Sequence, residues 1–312
     1  MIKLIKKSHK MKRSTSEIVF DTCNNVFMVV LALVMLYPFW YILILAFNNG
    51  ADAANGPIWF WPRKFTLDNF TYVLNYPGLK SATFVTVARC IVAPIFSVTV
   101  CMMGAYALSK RFLPNRKAII FFLMGPMFVG GTVVSNYLVI AKLHLLNNFL
   151  VFVLPGAFAY FTAVIMRSFI DGIPMEIEES AMLDGASYFT IFWRIIVPLS
   201  KPCIAAFLFF AVVGSWLDNQ ANLLYITKKS LYTLQYLLYL VLTSNESRSI
   251  IDMHSQQIAK RVSEMGNSAN QPPTPTVIRM AIMVVVTFPI LFIYPFFQKY
   301  FIKGMLTGSV KA

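Results

Sequence analysis

The sequence predicts an all-α integral membrane protein, and three observations carry that expectation. The 312-residue chain is 58% hydrophobic, 15% aromatic and only 13% charged, with a mean hydropathy of +0.65. Soluble domains carry about a quarter charged residues. The apolar residues also fall in long blocks, and a hydrocarbon core of about 30 Å requires roughly 20 apolar residues per helix. Finally, the blocks are continuously apolar rather than alternating. Only helices and closed barrels satisfy their backbone in lipid, and a barrel needs alternation.

Six blocks are long enough to span: 26–47, 82–108, 118–141, 149–170, 203–226 and 277–297. The first follows a basic start and precedes a small-residue Ala51–Asp52–Ala53 triplet, as a cleaved signal would. Signal cores run to about 7–15 residues, so this longer block is expected to stay as a span. Lys3, Lys6, Lys7, Lys10, Lys12 and Arg13 precede it. Lys110, Arg111, Arg116 and Lys117 sit between the second and third blocks, and Lys299, Lys303 and Lys311 follow the sixth. Six transmembrane helices with cytoplasmic N- and C-termini put all three clusters inside.

That topology divides the chain into a basic cytoplasmic N-terminus (1–25), a six-span domain (26–299) and a cytoplasmic tail (300–312). The loop 171–202 is then cytoplasmic, and segments 48–80 and 227–276 are external. The stretch LYTLQYLLYLVL, flanked by Lys228 and Lys229, is expected to lie on the outer surface. The polar NSANQPPTP that follows has loop composition.

Net charge is +14, which in a soluble protein would suggest nucleic acid. Here the cations flank apolar blocks, so membrane lipids account for them and no nucleic-acid partner is expected. His9, His144 and His254 are scattered, and Cys23, Cys90, Cys101 and Cys203 show no CxxC spacing. Neither a metal site nor a disulfide framework is indicated, and no catalytic set converges. No GxxxxGK[ST] loop occurs, so the chain itself is not expected to bind ATP.

The chain holds only 13 acids, yet Asp171, Glu176, Glu178, Glu179 and Asp184 share one short window. Pro174 suits a first helical turn, and acids behind it favour the helix N-terminus. Gly185 is a natural stop, since it takes a left-handed conformation at little cost. Ser187 suits the cap of a second helix that Pro198 limits. The expectation is a cytoplasmic knob of two short helices between the fourth and fifth spans.

The spacing Glu-x-Ala-x-x-x-Gly-x9-Ile-x-hydrophobic-Pro is met by Glu179, Ala181, Gly185, Ile195, Val197 and Pro198. It resembles the EAA loop of the permease subunits of bacterial ABC importers, with Ser180 in place of the usual second-position alanine. LYTLQ, TVIRMA and the ending YPFFQKYFIKGMLTGSVKA extend the likeness to most of the chain. They resemble the carbohydrate permeases related to the second maltose permease, of the lipo-oligosaccharide and aldouronate type.

The resemblance implies a type I importer permease fold in the bacterial cytoplasmic membrane. It implies four partners: a second homologous permease, two copies of a nucleotide-binding ATPase subunit, an extracytoplasmic solute-binding lipoprotein, and a sugar. ATP and Mg would sit on the ATPase, with no cofactor in this chain. Glu179, Ala181, Asp184, Gly185, Ile195 and Pro198 would form the coupling contact, by rigid-body transmission from ATP site to membrane gate.

Polar groups inside spans are the candidates for a substrate path. Arg89 in the second block either snorkels, pairs with a neighbouring helix or lines the path. Trp216, Asp218, Asn219, Gln220 and Asn222 combine a stacking ring with hydrogen-bonding groups that suit sugar hydroxyls, or else mark a helix end. Asn136 and Tyr137 are weaker candidates. The related permeases tend to have an aromatic-Trp-Asn style sequence where this chain has SWLDNQ. The alternative function is a secondary, ion-coupled transporter, for which Arg89 and Asp218 are the standout intramembrane charges. A membrane-embedded enzyme would need a nucleophile–base or metal set.

Overall fold

The computed structural model describes residues 15–128, 130–243 and 274–309. The N-terminal basic cluster, His254, the NSANQPP stretch and Lys311 lie outside the described residues. The described residues are helical, with a lone antiparallel bridge between Asn48 and Phe65.

Helix α1, Thr15–Ala46, runs about 48 Å at 1.5 Å per residue. Its apolar surface is largely exposed, and only Ile44, Leu45 and Ala46 are buried. A polar knot holds its C-terminal end. Asn69 donates to the carbonyls of Ala46 and Asn48 at 2.8 Å, serving carbonyls left over at the helix end. Asn48 accepts from the Lys64 amide at 2.9 Å and donates to Asp52 at 3.1 Å, and Arg63 closes on Asp52 at 3.0 Å. Short helices α2 (Gly50–Ala54) and α3 (Asp68–Leu74) complete this cap.

Helix α4, Leu79–Ser109, is the spine. Its N-terminal half packs against α3, Trp216 and the two last helices. Its C-terminal half packs Cys101, Met102, Ala105 and Tyr106 against Met166, Ile170, Ile191 and Phe192. Gly104 permits this approach, since a Cβ there would meet a Phe158 ring carbon at 2.7 Å.

The third block is a broken span. Helices α5 (Arg116–Phe128) and α6 (Val133–Lys142) meet at 118°. Gly130 and Gly131 follow α5, and Thr132 restarts a helix by accepting from the Ser135 amide at 3.2 Å. The fourth block is also not one helix. Asn148 caps a 3-10 turn, Phe149–Phe152, and Pro155–Gly156 stop it. Helix α7, Tyr160–Asp171, then runs only about 18 Å.

Helix α8 is Met175–Leu183, and α9, Tyr188–Leu199, contains a π turn over Phe192–Ile196. The Val197 amide reaches back to Phe192, so the turn is widened just ahead of Pro198, which has no amide to donate. The chain bends 80° into α10, Lys201–Leu217, with Ser200 buried at the corner. The fifth block breaks again at Asp218 and Asn219 before α11, Gln220–Tyr225.

Helix α12, Leu234–Thr243, corrects a further expectation. Leu234, Tyr236, Leu237, Leu238 and Val241 are buried, so LYTLQYLLYLVL is part of the core rather than lying on the outer surface. Thr86 explains the anchoring, for its hydroxyl accepts from the Leu234 amide at 2.8 Å. Helix α13, Pro275–Ser309, overruns the expected sixth span and continues through residues assigned to the tail.

Among the described residues three helices are individually long and apolar enough to cross a membrane, and the two bent pairs raise this to five. The remaining expected crossing corresponds to the short α7.

Candidate coupling surface and intramembrane cavity

The acidic window folds as its local chemistry dictates. Pro174 immediately precedes α8, and Glu176 and Glu178 fall in its first turn. Gly185 ends the turn with φ +82°, a conformation costly for any side chain with a Cβ. Ser187 caps α9, accepting from the Thr190 amide at 3.3 Å.

This knob has a fixed side and a free side. Ala181, Ala186 and Ile195 pack on the cluster formed by α4, α7 and α9. Lys110, at the end of α4, pairs with Glu178 and sits 4.1 Å from the centroid of the Tyr106 ring. Phe112 contacts Tyr188 at 5.4 Å between centroids. Facing outward are Glu179, Asp184 and Gly185, while Leu183 is 90% exposed. Pro198 is exposed in α9 and shapes the π turn rather than the free face.

Around the middle of α4 lies a cavity of about 420 Å³, lined by α4, the Phe149–Phe152 turn, α10 and α11. Arg89 is 5% exposed there. It pairs with the Asp218 carboxylate, donates to the Asp218 carbonyl at 3.0 Å and lies 4.7 Å from the centroid of the Phe152 ring. The other Asp218 oxygen accepts from the Gln220 amide at 2.8 Å, which makes the break between α10 and α11. Gln220, Ser97, Ser215 and Tyr225 add polar groups to the lining.

The candidate path residues therefore separate. Arg89, Asp218 and Gln220 share the cavity. Trp216 does not line it: the ring is buried in the core shared with α12 and α13, and its indole donates to the Val286 carbonyl at 3.1 Å. Asn222 is likewise committed, donating to the Leu231 carbonyl at 3.0 Å and accepting from Thr233 at 2.9 Å. Asn219 occupies the break just before α11. Asn136 is exposed at the bend, close over Gly131, and Tyr137 stacks with Tyr225 at 6.3 Å.

Several structural residues carried no readable signal. Lys110 and Glu178 are 68 positions apart. Asn147, in a left-handed conformation, accepts from the Thr227 amide, the Thr227 hydroxyl and the Lys228 amide at 2.7–3.0 Å. Asn-Asn chemistry marks a turn, but nothing in it names the distant partner.

Residues 116–307 match the model of the binding-protein-dependent transport system inner membrane component. The chain belongs to that family. Protein LplC of Bacillus subtilis (strain 168) is 36% identical over 307 residues, covering 97% of this chain and 98% of that relative. The polygalacturonan/rhamnogalacturonan transport system permease protein YtcP, also of Bacillus subtilis, is 32% identical over 292 residues, covering 94% of this chain and 98% of its own. A chain from the crystal structure of a bacterial ABC transporter that imports the acidic polysaccharide alginate matches with a TM-score of 0.82 and 25% identity, covering 93% of this chain and 99% of that one. The likeness to importer permeases drawn from the Glu179–Pro198 spacing is borne out, as is the all-helical importer permease fold. As a member of this permease family, the chain is a transport subunit and not an enzyme.

Proposed function

We propose that this chain forms half of the translocation path of an ATP-driven importer for an oligosaccharide or sugar derivative. The sugar class follows the relatives, whose names give polygalacturonan/rhamnogalacturonan and the acidic polysaccharide alginate. The reading takes the chain to cross the bacterial cytoplasmic membrane six times with both termini inside. It pairs there with a second permease and two ATPase subunits that hold ATP and Mg. A solute-binding lipoprotein delivers substrate from outside; a related alginate importer has been crystallised with its sugar-loaded periplasmic protein.

One observation carries the coupling role. Helix α8 is clamped to α4 on one side by the Lys110–Glu178 pair and presents Glu179, Asp184 and the 90% exposed Leu183 on the other. An element rigidly tied to the membrane spine with an unfilled outer face suits transmission from a docked subunit. Glu179 would meet a complementary group on the ATPase, and Gly185 would allow close approach. A secondary transporter is not favoured, because the family is binding-protein-dependent.

The test is sugar-stimulated ATPase activity of the reconstituted complex. Glu179→Arg and Gly185→Trp are each expected to lower it by about tenfold or more, the usual scale of a coupling energy. Stimulation unchanged in both variants would overturn the coupling role.

A further inference from the structure

We infer that Arg89 is a reader of substrate carboxylates, and that Asp218 holds its place when no sugar is bound. The inference rests on the importer reading above and deepens it, naming acidic, uronate-type sugars as the cargo this cavity is built for.

A guanidinium deep in a membrane helix is retained where it does something for the path. Arg89 is 5% exposed and borders a cavity of about 420 Å³, a volume suited to a small ligand or part of a larger one. If its role were only to tie helices together, an apolar pair of similar volume would serve as well or better. Among the described residues its hydrogen bonds go to Asp218 alone, and its Nε is buried without a partner. The planar fork is the geometry that binds carboxylates with two parallel bonds.

Asp218 is placed to yield. Its side chain is 33% exposed against 6% for Arg89, so on release it turns to water while the cation stays behind. It also sits at a helix break, where its second oxygen already holds the Gln220 amide. A sugar carboxylate entering the cavity exchanges with one carboxylate oxygen, and the charge balance around Arg89 is kept. Ser97, Ser215, Gln220 and Tyr225 then face the sugar hydroxyls. Phe152, under the guanidinium, fixes its plane.

The test uses the assembled importer in proteoliposomes, with its binding protein. Uptake is measured for a galacturonate oligosaccharide and for the same oligosaccharide with its carboxyls reduced to alcohols. Asp218→Asn keeps a neutral acceptor of the same shape beside Arg89 but removes the competing charge. It is expected to lower the KM for the acidic sugar by about threefold or more without lowering that for the reduced one. Arg89→Gln combined with Asp218→Asn replaces the ion pair by an amide pair. It is expected to cut kcat/KM for the acidic sugar by about tenfold or more, the scale of a lost charge-assisted bond.

Complex assembly, followed by size-exclusion chromatography, reports folding separately. If the amide pair blocks assembly, Asp218→Asn alone decides. An unchanged KM in Asp218→Asn, or wild-type uptake in an assembled amide-pair variant, overturns the inference and leaves a structural tie. Wild-type complex that takes up other oligosaccharides but neither of these overturns the uronate inference, whereas one that takes up no sugar at all overturns the importer reading itself.

Discussion

Two points along α4 use the same chemistry for different work. Within the helix Arg89 pairs with Asp218 over Phe152; at its C-terminal end Lys110 pairs with Glu178 beside Tyr106. The two cations stand about 30 Å apart along the helix. At the Lys110 pair both side chains are similarly buried, 14% and 12% exposed. The Arg89 pair is lopsided, 6% against 33%, and opens on a cavity. A symmetric pair between two packed elements is a clamp. A lopsided pair beside a void is a site that can exchange one partner.

Substitutions that remove one charge at a time sharpen this contrast. The largest loss is expected for Asp218→Leu, which strands a buried cation and frees the Gln220 amide. A cost of about 3–5 kcal/mol is the scale for breaking a buried pair. Arg89→Leu is expected to cost less, because Asp218 reaches water. Thermal unfolding of the assembled complex measures both, and the reverse ranking breaks the lopsided description. At the clamp, Lys110→Met and Glu178→Gln are expected to cost similar amounts to each other, about 1–3 kcal/mol each.

Smaller effects are expected within the knob. Gly185→Ala should cost about 1 kcal/mol, because φ is +82° and the position offers open space, so only backbone conformation opposes the methyl. Ser187→Ala should cost about 1 kcal/mol through loss of the α9 cap. Both are read from the unfolding midpoint of the complex.

The smallest effect concerns pH at the polar knot that follows α1. The Asn48 amide, with Arg63 beside it, holds the Asp52 carboxyl below its ordinary value near 3.8 against the opposing effect of partial burial. With the folded pKa depressed, the knot keeps its full contribution above the ordinary value and loses it as pH falls through the folded one. Proteolysis of the 48–66 segment should therefore stay flat at neutral pH and rise only in acid, below the ordinary carboxylate range. Asp52→Asn should remove that acid dependence.

The fold was legible where the code is local. The long apolar runs of α1 and α4, the stop at Gly185 and the cap at Ser187 follow from neighbours a few residues away. The knob was recognisable for the same reason, since Glu179 to Pro198 is one short stretch. Hydropathy alone did not distinguish a straight span from a broken one. Thus the 118° bend after Gly130–Gly131 and the loss of helix at Pro155–Gly156 were counted as continuous helices. Burial of α12 was hidden too, because it depends on Thr86 and α13, far away in sequence. In the candidate path, composition grouped Trp216 and Asn222 with Asp218. Tertiary hydrogen bonds to Val286, Leu231 and Thr233 withdrew them from the cavity.

The central claim is that the free face of α8 carries the contact with the ATPase. Leu183, at the end of that helix and 90% exposed, is the place to test it. With Leu183→Cys in a chain whose native cysteines are replaced, and single cysteines placed over the ATPase surface, crosslinking of the assembled importer should trap Leu183 against the ATPase. Closing that crosslink should stop sugar uptake, and reduction should restore it. A crosslink that never forms in an actively transporting complex, or one that forms without affecting uptake, would contradict the account.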